Sequence, residues 1–217
     1  NKEGEPIHIV ENINDSMEAD KIVQTINKEI QEYRNSEGDN EFYDRFAILY
    51  RTNAQSRIIE DKLRRQGIPY HIIGGVKFYE RKEIKDMLGY VKVMSNPSDN
   101  VSLLRVLNFP PRGIGKTSIE KIIKFSKQEK ISIFKSLDHI DKIEIGQSQK
   151  KTIKIFTDKI NTFIKKIDNY NIVELINDII EQFKIKEHYD KQNTSDSNER
   201  WRNIEELVNG MIDYDSE

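Results

Sequence analysis

The hydrophobic pattern of the chain changes once, at Gly74-Gly75, and this change constrains the fold more than any other feature. Before it, three short apolar runs (residues 7–10, 46–50 and 70–73) alternate with two segments of helical periodicity. This order is typical of a parallel sheet with right-handed crossovers. The run 46–50 is almost wholly apolar, as expected of a strand buried on both faces. We therefore predict a partial parallel sheet within residues 1–80.

After the two glycines, every segment from about residue 80 onward has the spacing of an amphipathic helix. One long stripe, for example, contains Ile153, Phe156, Ile160 and Phe163. Such stripes indicate a packed core. The predicted fold class is therefore α/β plus all-α, with an α/β domain at residues 1–80 and an all-helical domain at residues 81–217.

The charges are distributed unevenly, although the formal net charge is only −2. Residues 101–166 contain 15 Lys and Arg against six Asp and Glu, an excess of nine positive charges. Residues 167–217 contain five against 13, an excess of eight negative charges. The basic segment suits a polyanion partner, but lysines that only solvate helices would give the same count. The acidic segment either binds a basic partner or solvates its own helices.

Several classes of site are excluded by composition. The chain has no cysteine, so disulfides and thiolate metal sites are impossible, and its four histidines lack the spacing of metal ligands. We predict no metal site. No apolar run approaches the roughly 18 residues of a membrane span, and no signal peptide opens the chain. We expect a cytoplasmic protein without a membrane partner, and a chain that is a piece of a longer one.

Residues 111–117 join two predicted helices through a Gly-x-Gly turn, and they admit two interpretations. Gly115-Lys116-Thr117 resembles the end of a phosphate-binding P-loop, but the first glycine of that pattern is replaced by Pro110, which has no N–H to donate. A helix-hairpin-helix element fits better, because glycines allow a phosphate close to the backbone and a helix N-terminus attracts anions. The predicted contacts are Arg112, Gly113, Ile114, Gly115, Lys116 and Thr117, with Ile114 packed inward. An ordinary helix–helix turn is the alternative.

A second group of polar residues follows the predicted strand 46–50. Arg51, Asn53, Gln55 and Arg57 provide donors where that strand ends and a helix begins. Ligands of open α/β sheets bind at such edges, and a single nucleic-acid strand needs donors for phosphates and rings for bases. Lys77, Phe78 and Tyr79 add a cation and two rings after the third predicted strand. A capped helix with surface charges would contain the same residues.

Taken together, these segments resemble the UvrD/PcrA/Rep superfamily 1 DNA helicases, and within them most closely the PcrA group. Residues 46–57 (FAILYRTNAQSR) resemble the motif called IVa, and residues 68–70, 74–75 and 78–86 continue in the family's order. Residues 112–115 (RGIG) resemble its duplex-contacting element. The resemblance implies that residues 1–80 are half of a RecA-like 2A domain and that residues 81–217 are most of a helical 2B domain.

The resemblance also implies a function. The parent protein would be an ATP-dependent 3′–5′ DNA helicase of repair or replication that uses ATP and Mg²⁺. Arg51 and Asn53 would grip the single strand, near Lys77, Phe78 and Tyr79, and residues 113–117 would contact the duplex. The chain lacks the ATP-binding motifs, so we predict no catalytic residue and no bound cofactor in it, and inactivity without domains 1A, 1B and the rest of 2A. The incomplete sheet predicts an exposed edge through which two copies could pair.

Two other functions remain open. The helical part could be a protein-interaction module, with the basic segment serving only solubility. The chain could also come from a helicase-like subunit of a RecBCD or AddAB type nuclease complex.

Overall fold

The computed structural model describes residue 4, residues 6–37 and residues 43–215, without the side chains of residues 34–37 and 213–215. The chain divides into two compact units, Asn1–Phe78 and Tyr79–Glu217, which we call unit 1 and unit 2. The division falls within a 3₁₀ turn, Phe78–Glu80.

Unit 1 is built around two helices, α1 (Asp15–Glu37) and α2 (Ser56–Arg65). Two 3₁₀ turns, Tyr43–Arg45 and Asn53–Gln55, precede α2. Helical spacing places Val23, Ile26 and Ile30 on one face of α1, where they are buried with Leu63 and Ile68. Burial of this apolar face is what holds the two helices together.

The predicted parallel sheet is wrong: the described residues contain no β-strand, and the fold is helical. In the segment 46–50, Phe46 and Ile48 pack against the core of unit 1, whereas Leu49 is 89% exposed. Tyr70 likewise packs against that core, whereas Ile73 is 96% exposed. The first predicted strand, residues 7–10, is exposed throughout.

The reason is that an alternating apolar pattern specifies which side chains share a face but not whether a neighbouring strand exists. Segments 46–50 and 68–72 satisfy their pattern by covering α1 and α2 with one face. No backbone ladder joins them to each other or to residues 7–10 among the described residues. The predicted dimer depended on the edge of that sheet, so nothing in the described residues supports it.

Unit 2 is all-helical, as the periodicity predicts. Its first two helices, α3 (Lys82–Ser95) and α4 (Asn100–Val106), pack closely because Gly89 leaves room for Val106: a Cβ at position 89 would lie 2.8 Å from Val106 Cγ1. The long helix α7 (Gln147–Lys166) buries Ile153, Phe156 and Ile160 of the predicted stripe completely or nearly so. The helices of unit 2 are α3 (Lys82–Ser95), α4 (Asn100–Val106), α5 (Lys116–Glu129), α6 (Ile133–Leu137), α7 (Gln147–Lys166), α8 (Ile172–Gln182), α9 (Ile185–Gln192) and α10 (Ser195–Asp215).

Two 3₁₀ turns, Ile140–Lys142 and Ile167–Asn169, lie before and after α7. None of the helices in the described part of the chain combines the length and the apolarity needed to cross a membrane.

Candidate nucleic-acid interface

The turn between α4 and α5, residues 108–115, is shaped by the side chain of Asn108. Its Oδ1 atom accepts the backbone N–H of Arg112 at 2.7 Å and that of Ile114 at 3.1 Å. Gly113 lies between these two donors with φ of +74°, a conformation that glycine adopts without strain. Ile114 is 1% exposed, so its side chain anchors the turn in the core, as predicted. We call residues 108–117 the hairpin.

Several residues of the hairpin are exposed and have backbone N–H groups without a protein acceptor among the described residues. Gly113, Gly115, Lys116 and Thr117 are exposed, and α5 begins at Lys116. Within the described residues, the amides of Gly115, Lys116 and Thr117 donate to no protein acceptor. Unsatisfied amides at the start of a 14-residue helix, together with the helix dipole, favour an anion at this position.

The local backbone conformation does not require a glycine at position 115. Its φ of −78° is open to any residue, and a Cβ built there would meet no atom within 4 Å. A side chain at this position would therefore project into open space and obstruct only a molecule that approaches from outside. Gly113 differs, because its positive φ makes any substitution strained even though the space around it is also empty.

Three exposed lysines extend this surface along α5. Lys116, Lys124 and Lys127 are exposed, and their spacing places them on one side of the helix. Glu120 lies between them, and its carboxylate is 3.9 Å from Lys116 Nζ. Lys121 points elsewhere, since its Nζ donates to Glu144 O at 2.6 Å. The surface formed by the hairpin amides and these three lysines is therefore positively charged.

Arg112, also predicted to contact DNA, is turned inward. Its Nη1 atom donates to the carbonyl oxygens of Val106 at 2.8 Å and of Phe109 at 2.6 Å. Its Nη2 atom donates to Tyr90 Oη at 2.6 Å. The guanidinium group is thus engaged with protein acceptors rather than directed at the outer face of the hairpin.

In unit 1, the segment after residue 50 forms the 3₁₀ turn Asn53–Gln55 and then α2. Gln55 Oε1 accepts the backbone N–H groups of Arg51 and Thr52, both at 3.0 Å, so Gln55 caps the turn. Arg51 and Asn53 are exposed. Arg57 is 4% exposed and lies 3.3 Å from Asp61, so it belongs to the interior. Of the four predicted donors, Arg57 is buried, whereas Arg51, Asn53 and Gln55 are exposed.

The three residues of the segment 77–79 also differ in their exposure. Lys77 is exposed, with its Nζ 4.8 Å from the centre of the Tyr70 ring, a cation–π contact. Phe78 is fully buried, so its ring is covered in this structure, and Tyr79 is half-buried. Glu60 fixes the segment by accepting the backbone N–H of Phe78. The same carboxylate accepts the Tyr70 hydroxyl at 3.1 Å, and burial together with that charge raises the pKa of Tyr70 to about 12.

Comparison with known proteins now decides the family, because residues 1–217 match the family model of the UvrD-like helicase C-terminal domain. The chain belongs to this family. Over 215 residues it is 34% identical to the ATP-dependent DNA helicase PcrA of Staphylococcus aureus (strain NCTC 8325 / PS 47). It is 35% identical to the protein of the same name from Staphylococcus epidermidis (strain ATCC 12228 / FDA PCI 1200). Both alignments cover 99% of this chain but only 28% of the relative.

Membership of the UvrD-like helicase C-terminal domain family confirms the resemblance found in residues 46–57 and 112–115. The chain spans little more than a quarter of the length of the curated PcrA proteins that it matches. Similarity at this level identifies the family and not the individual DNA contacts.

A phosphate-binding P-loop does not fit residues 115–117 of this UvrD-like chain. Gly115-Lys116-Thr117 follows the turn after α4 rather than a strand, and the side chain of Lys116 is 90% exposed. Across the described residues, no group of three or more His, Asp or Glu side chains is placed to hold a metal ion.

Sequence reasoning missed the residues that support these surfaces. The sequence did not identify Asn108, Tyr90 or Glu60. Each of them nevertheless fixes a segment that had been predicted as part of a site. An asparagine shortly before a Gly-x-Gly turn is a local signal for side-chain capping and could have been recognised. Tyr90 and Glu60 act on segments 19 and 18 residues away, and neither carries a local signal of that partner.

Proposed function

We propose that this chain is a DNA-binding part of an ATP-dependent 3′–5′ DNA helicase that acts in DNA repair or replication. The proposal is supported by the PcrA relatives, which are named ATP-dependent DNA helicases, and by two exposed polar surfaces in separate units. Unit 2 would take the duplex role that the resemblance gives to domain 2B. Unit 1 would take the single-strand role of domain 2A.

The observation that carries the proposal is the set of exposed residues at the start of α5 whose backbone amides donate to no protein acceptor among the described residues. Gly115, Lys116 and Thr117 can donate to phosphate oxygens, and the absence of a side chain on Gly113 and Gly115 permits close approach. Lys124 and Lys127 then lie along the path of the backbone. Such contacts read the sugar–phosphate chain and not the base sequence. Ile114 contributes from inside by holding the turn.

In unit 1 we propose Arg51 and Asn53 as the contacts to a single strand, together with Lys77, which is also exposed and belongs to the same unit. Both Arg51 and Asn53 are exposed at a turn whose backbone Gln55 fixes. Tyr79, the first residue of unit 2, stays a separate candidate for base stacking that is not part of this unit 1 surface. Phe78 is completely buried and is better explained as an anchor for the segment.

The ATP chemistry belongs to the rest of the parent protein. We propose that ATP and Mg²⁺ bind there. Closure of the domains that this chain lacks would move the contacts of Arg51 and Asn53 along the single strand, while the hairpin holds the duplex. The isolated chain should therefore bind DNA without hydrolysing ATP. Phosphate release above the no-enzyme rate in a purified sample, lost when the chain is removed by immunodepletion, would contradict this division.

A binding isotherm tests the proposed function directly. A fluorescently labelled duplex with a 3′ single-stranded tail is titrated with the chain at several salt concentrations. We expect affinity that falls steeply with salt and is independent of base sequence, because phosphate contacts release counterions. Failure to bind at low salt, or binding that is indifferent to salt, would reject the proposal. If the chain does not bind DNA but does bind another protein, the interaction-module alternative would be favoured.

A further inference from the structure

We propose that Arg112 is a positioning residue for the hairpin: it fixes the shape of the phosphate-facing turn from behind and does not contact DNA. This inference rests on the proposed duplex contact and adds the residue that holds it in place. Its basis is the set of contacts that the Arg112 side chain and backbone make with α3, α4 and the turn.

The guanidinium group first ties the hairpin to the end of α4. Nη1 donates to Val106 O at 2.8 Å, to Phe109 O at 2.6 Å and, at 3.3 Å, to Leu107 O. These carbonyls belong to the last turn of α4 and the residues just after it, where a helix leaves its acceptors unsatisfied. Arg112 therefore caps α4 with the side chain of a residue in the following turn.

The same group is also tied to α3. Nη2 donates to Tyr90 Oη at 2.6 Å, and the Tyr90 hydroxyl in turn donates to Phe109 O. Tyr90 is fully buried, whereas Arg112 and Phe109 are partly buried, so this triangle joins the hairpin to the core of unit 2. Only a planar group with several donors can serve these acceptors at once, which a lysine cannot do.

Two aromatic rings enclose the guanidinium group further. Its central carbon lies 5.2 Å from the centre of the Phe156 ring and 5.3 Å from that of Phe183. Cation–π contacts of this kind gain strength where water is displaced. Movement of Arg112 toward an external phosphate would break these contacts together with the hydrogen bonds to the three carbonyls.

The backbone of Arg112 completes the link. Its N–H donates to Asn108 Oδ1, which also accepts the N–H of Ile114. Gly113 lies between these two donors. Its position is therefore set on one side by Arg112, whose side chain is held by its hydrogen bonds to α3 and to the end of α4. Loss of the side-chain contacts should therefore let the turn drift and misplace the amides of Gly113 and Gly115.

The salt dependence of duplex binding distinguishes positioning from direct contact. A lysine that touches a phosphate contributes about 0.9 to the slope of log affinity against log salt concentration, so Lys116→Ala should lower the slope by about that amount. Arg112→Met should instead reduce duplex affinity about tenfold while leaving the slope unchanged. Ile176→Val, a fully buried change in α8, controls for general loss of core packing and should leave the affinity of the folded protein unaltered.

Arg112→Lys retains the charge and provides a second variant, which is needed if the methionine variant does not fold. Because lysine cannot bridge the three carbonyls and Tyr90, it should lose affinity nearly as much as methionine does. Recovery of wild-type affinity by lysine, a slope lowered by about 0.9 in either Arg112 variant, or unchanged affinity in both would each overturn the proposal.

The amide resonances of Gly113 and Gly115 give a readout that does not depend on DNA. In ¹H–¹⁵N spectra they should shift in both Arg112 variants and stay in place in Ile176→Val. If the wild-type chain fails to bind the duplex, the proposed function falls, and these resonances alone decide the positioning role. Resonances that stay unchanged in the Arg112 variants would reject it.

Discussion

Both carboxylate oxygens of Glu60 lie 3.2 Å from the backbone nitrogen of Phe78, so α2 directly fixes the segment that ends unit 1. Glu60 is 4% exposed and also accepts the hydroxyls of Ser56 and Tyr70, at 2.8 Å and 3.1 Å. One buried carboxylate thus organises the segment next to Lys77. In unit 2, Arg112 plays the corresponding part for the hairpin.

Glu60→Ala should destabilise unit 1 by about 1–3 kcal/mol, because it leaves buried donors without an acceptor. Urea unfolding followed by far-UV circular dichroism measures the change. Glu29→Ala is the matched control, since Glu29 is an exposed glutamate on α1, and it should stay within about 0.5 kcal/mol of the wild type. Equal stability of the two variants would show that the Glu60 contacts contribute nothing.

Arg51→Ala combined with Asn53→Ala should weaken binding to single-stranded DNA and leave duplex binding unchanged, because the two sites lie in different units. Both side chains are exposed, so the fold should tolerate the change. Fluorescence anisotropy with a single-stranded oligonucleotide and with a blunt duplex measures the two affinities separately. Parallel loss on both probes would contradict the assignment of separate roles.

Tyr90→Phe should remove part of the alkaline sensitivity of unit 2. Burial raises the pKa of Tyr90 to about 12 from 10.0, whereas the nearby Arg112 cation lowers it. Because the folded-state pKa is the higher one, the stabilisation is complete below pH 10 and is lost as pH rises through about 12. Across that window the wild type should lose about 1.4 kcal/mol per pH unit more than the variant.

Urea unfolding monitored by the fluorescence of Trp201, in α10 of unit 2, measures this difference. At neutral pH the variant should be less stable by roughly 1 kcal/mol, since it lacks the hydroxyl that Arg112 and Phe109 contact. Identical pH profiles for the two proteins would mean that the Tyr90 hydroxyl does not ionise on unfolding in this range.

The helices could be predicted from the sequence and the strands could not, for a physical reason. Helical periodicity is local, so the spacing of Ile153 and Phe156 is enough to identify the face of α7 that is buried. A strand needs a second strand to which its backbone can hydrogen-bond, and the apolar pattern does not show whether such a neighbour exists. Phe46 and Ile48 do share an inward face, but Leu49 is exposed and no ladder forms in the described part of the chain.

The candidate site was predictable at the level of the backbone and less so for side chains. The Gly-x-Gly turn, the inward Ile114 and the exposed Arg51 and Asn53 all follow from local sequence. The direction of a long cationic side chain does not, because it depends on acceptors brought in by other elements. Arg112 was expected to face DNA, yet the carbonyls after α4 and the Tyr90 hydroxyl hold it inside.

The central claim is that the amides around Gly115 meet a phosphate backbone, and two matched glycine substitutions test it. Gly115 and Gly146 are the N-cap residues of α5 and α7, with similar backbone angles (φ −78°, ψ 170° and φ −63°, ψ 151°). Replacing either with alanine should cost about 1 kcal/mol of stability, because alanine is a poor N-cap. A Cβ at Gly146 meets only the end of the Gln149 side chain, which can move aside.

The decisive measurement is therefore the duplex affinity of Gly115→Ala compared with that of Gly146→Ala, by anisotropy at one fixed low salt concentration. We expect Gly115→Ala to bind the duplex at least about tenfold more weakly, a loss of about 1.4 kcal/mol, and Gly146→Ala to bind as the wild type does. Equal affinities for the two variants would contradict the proposed phosphate contact at the hairpin.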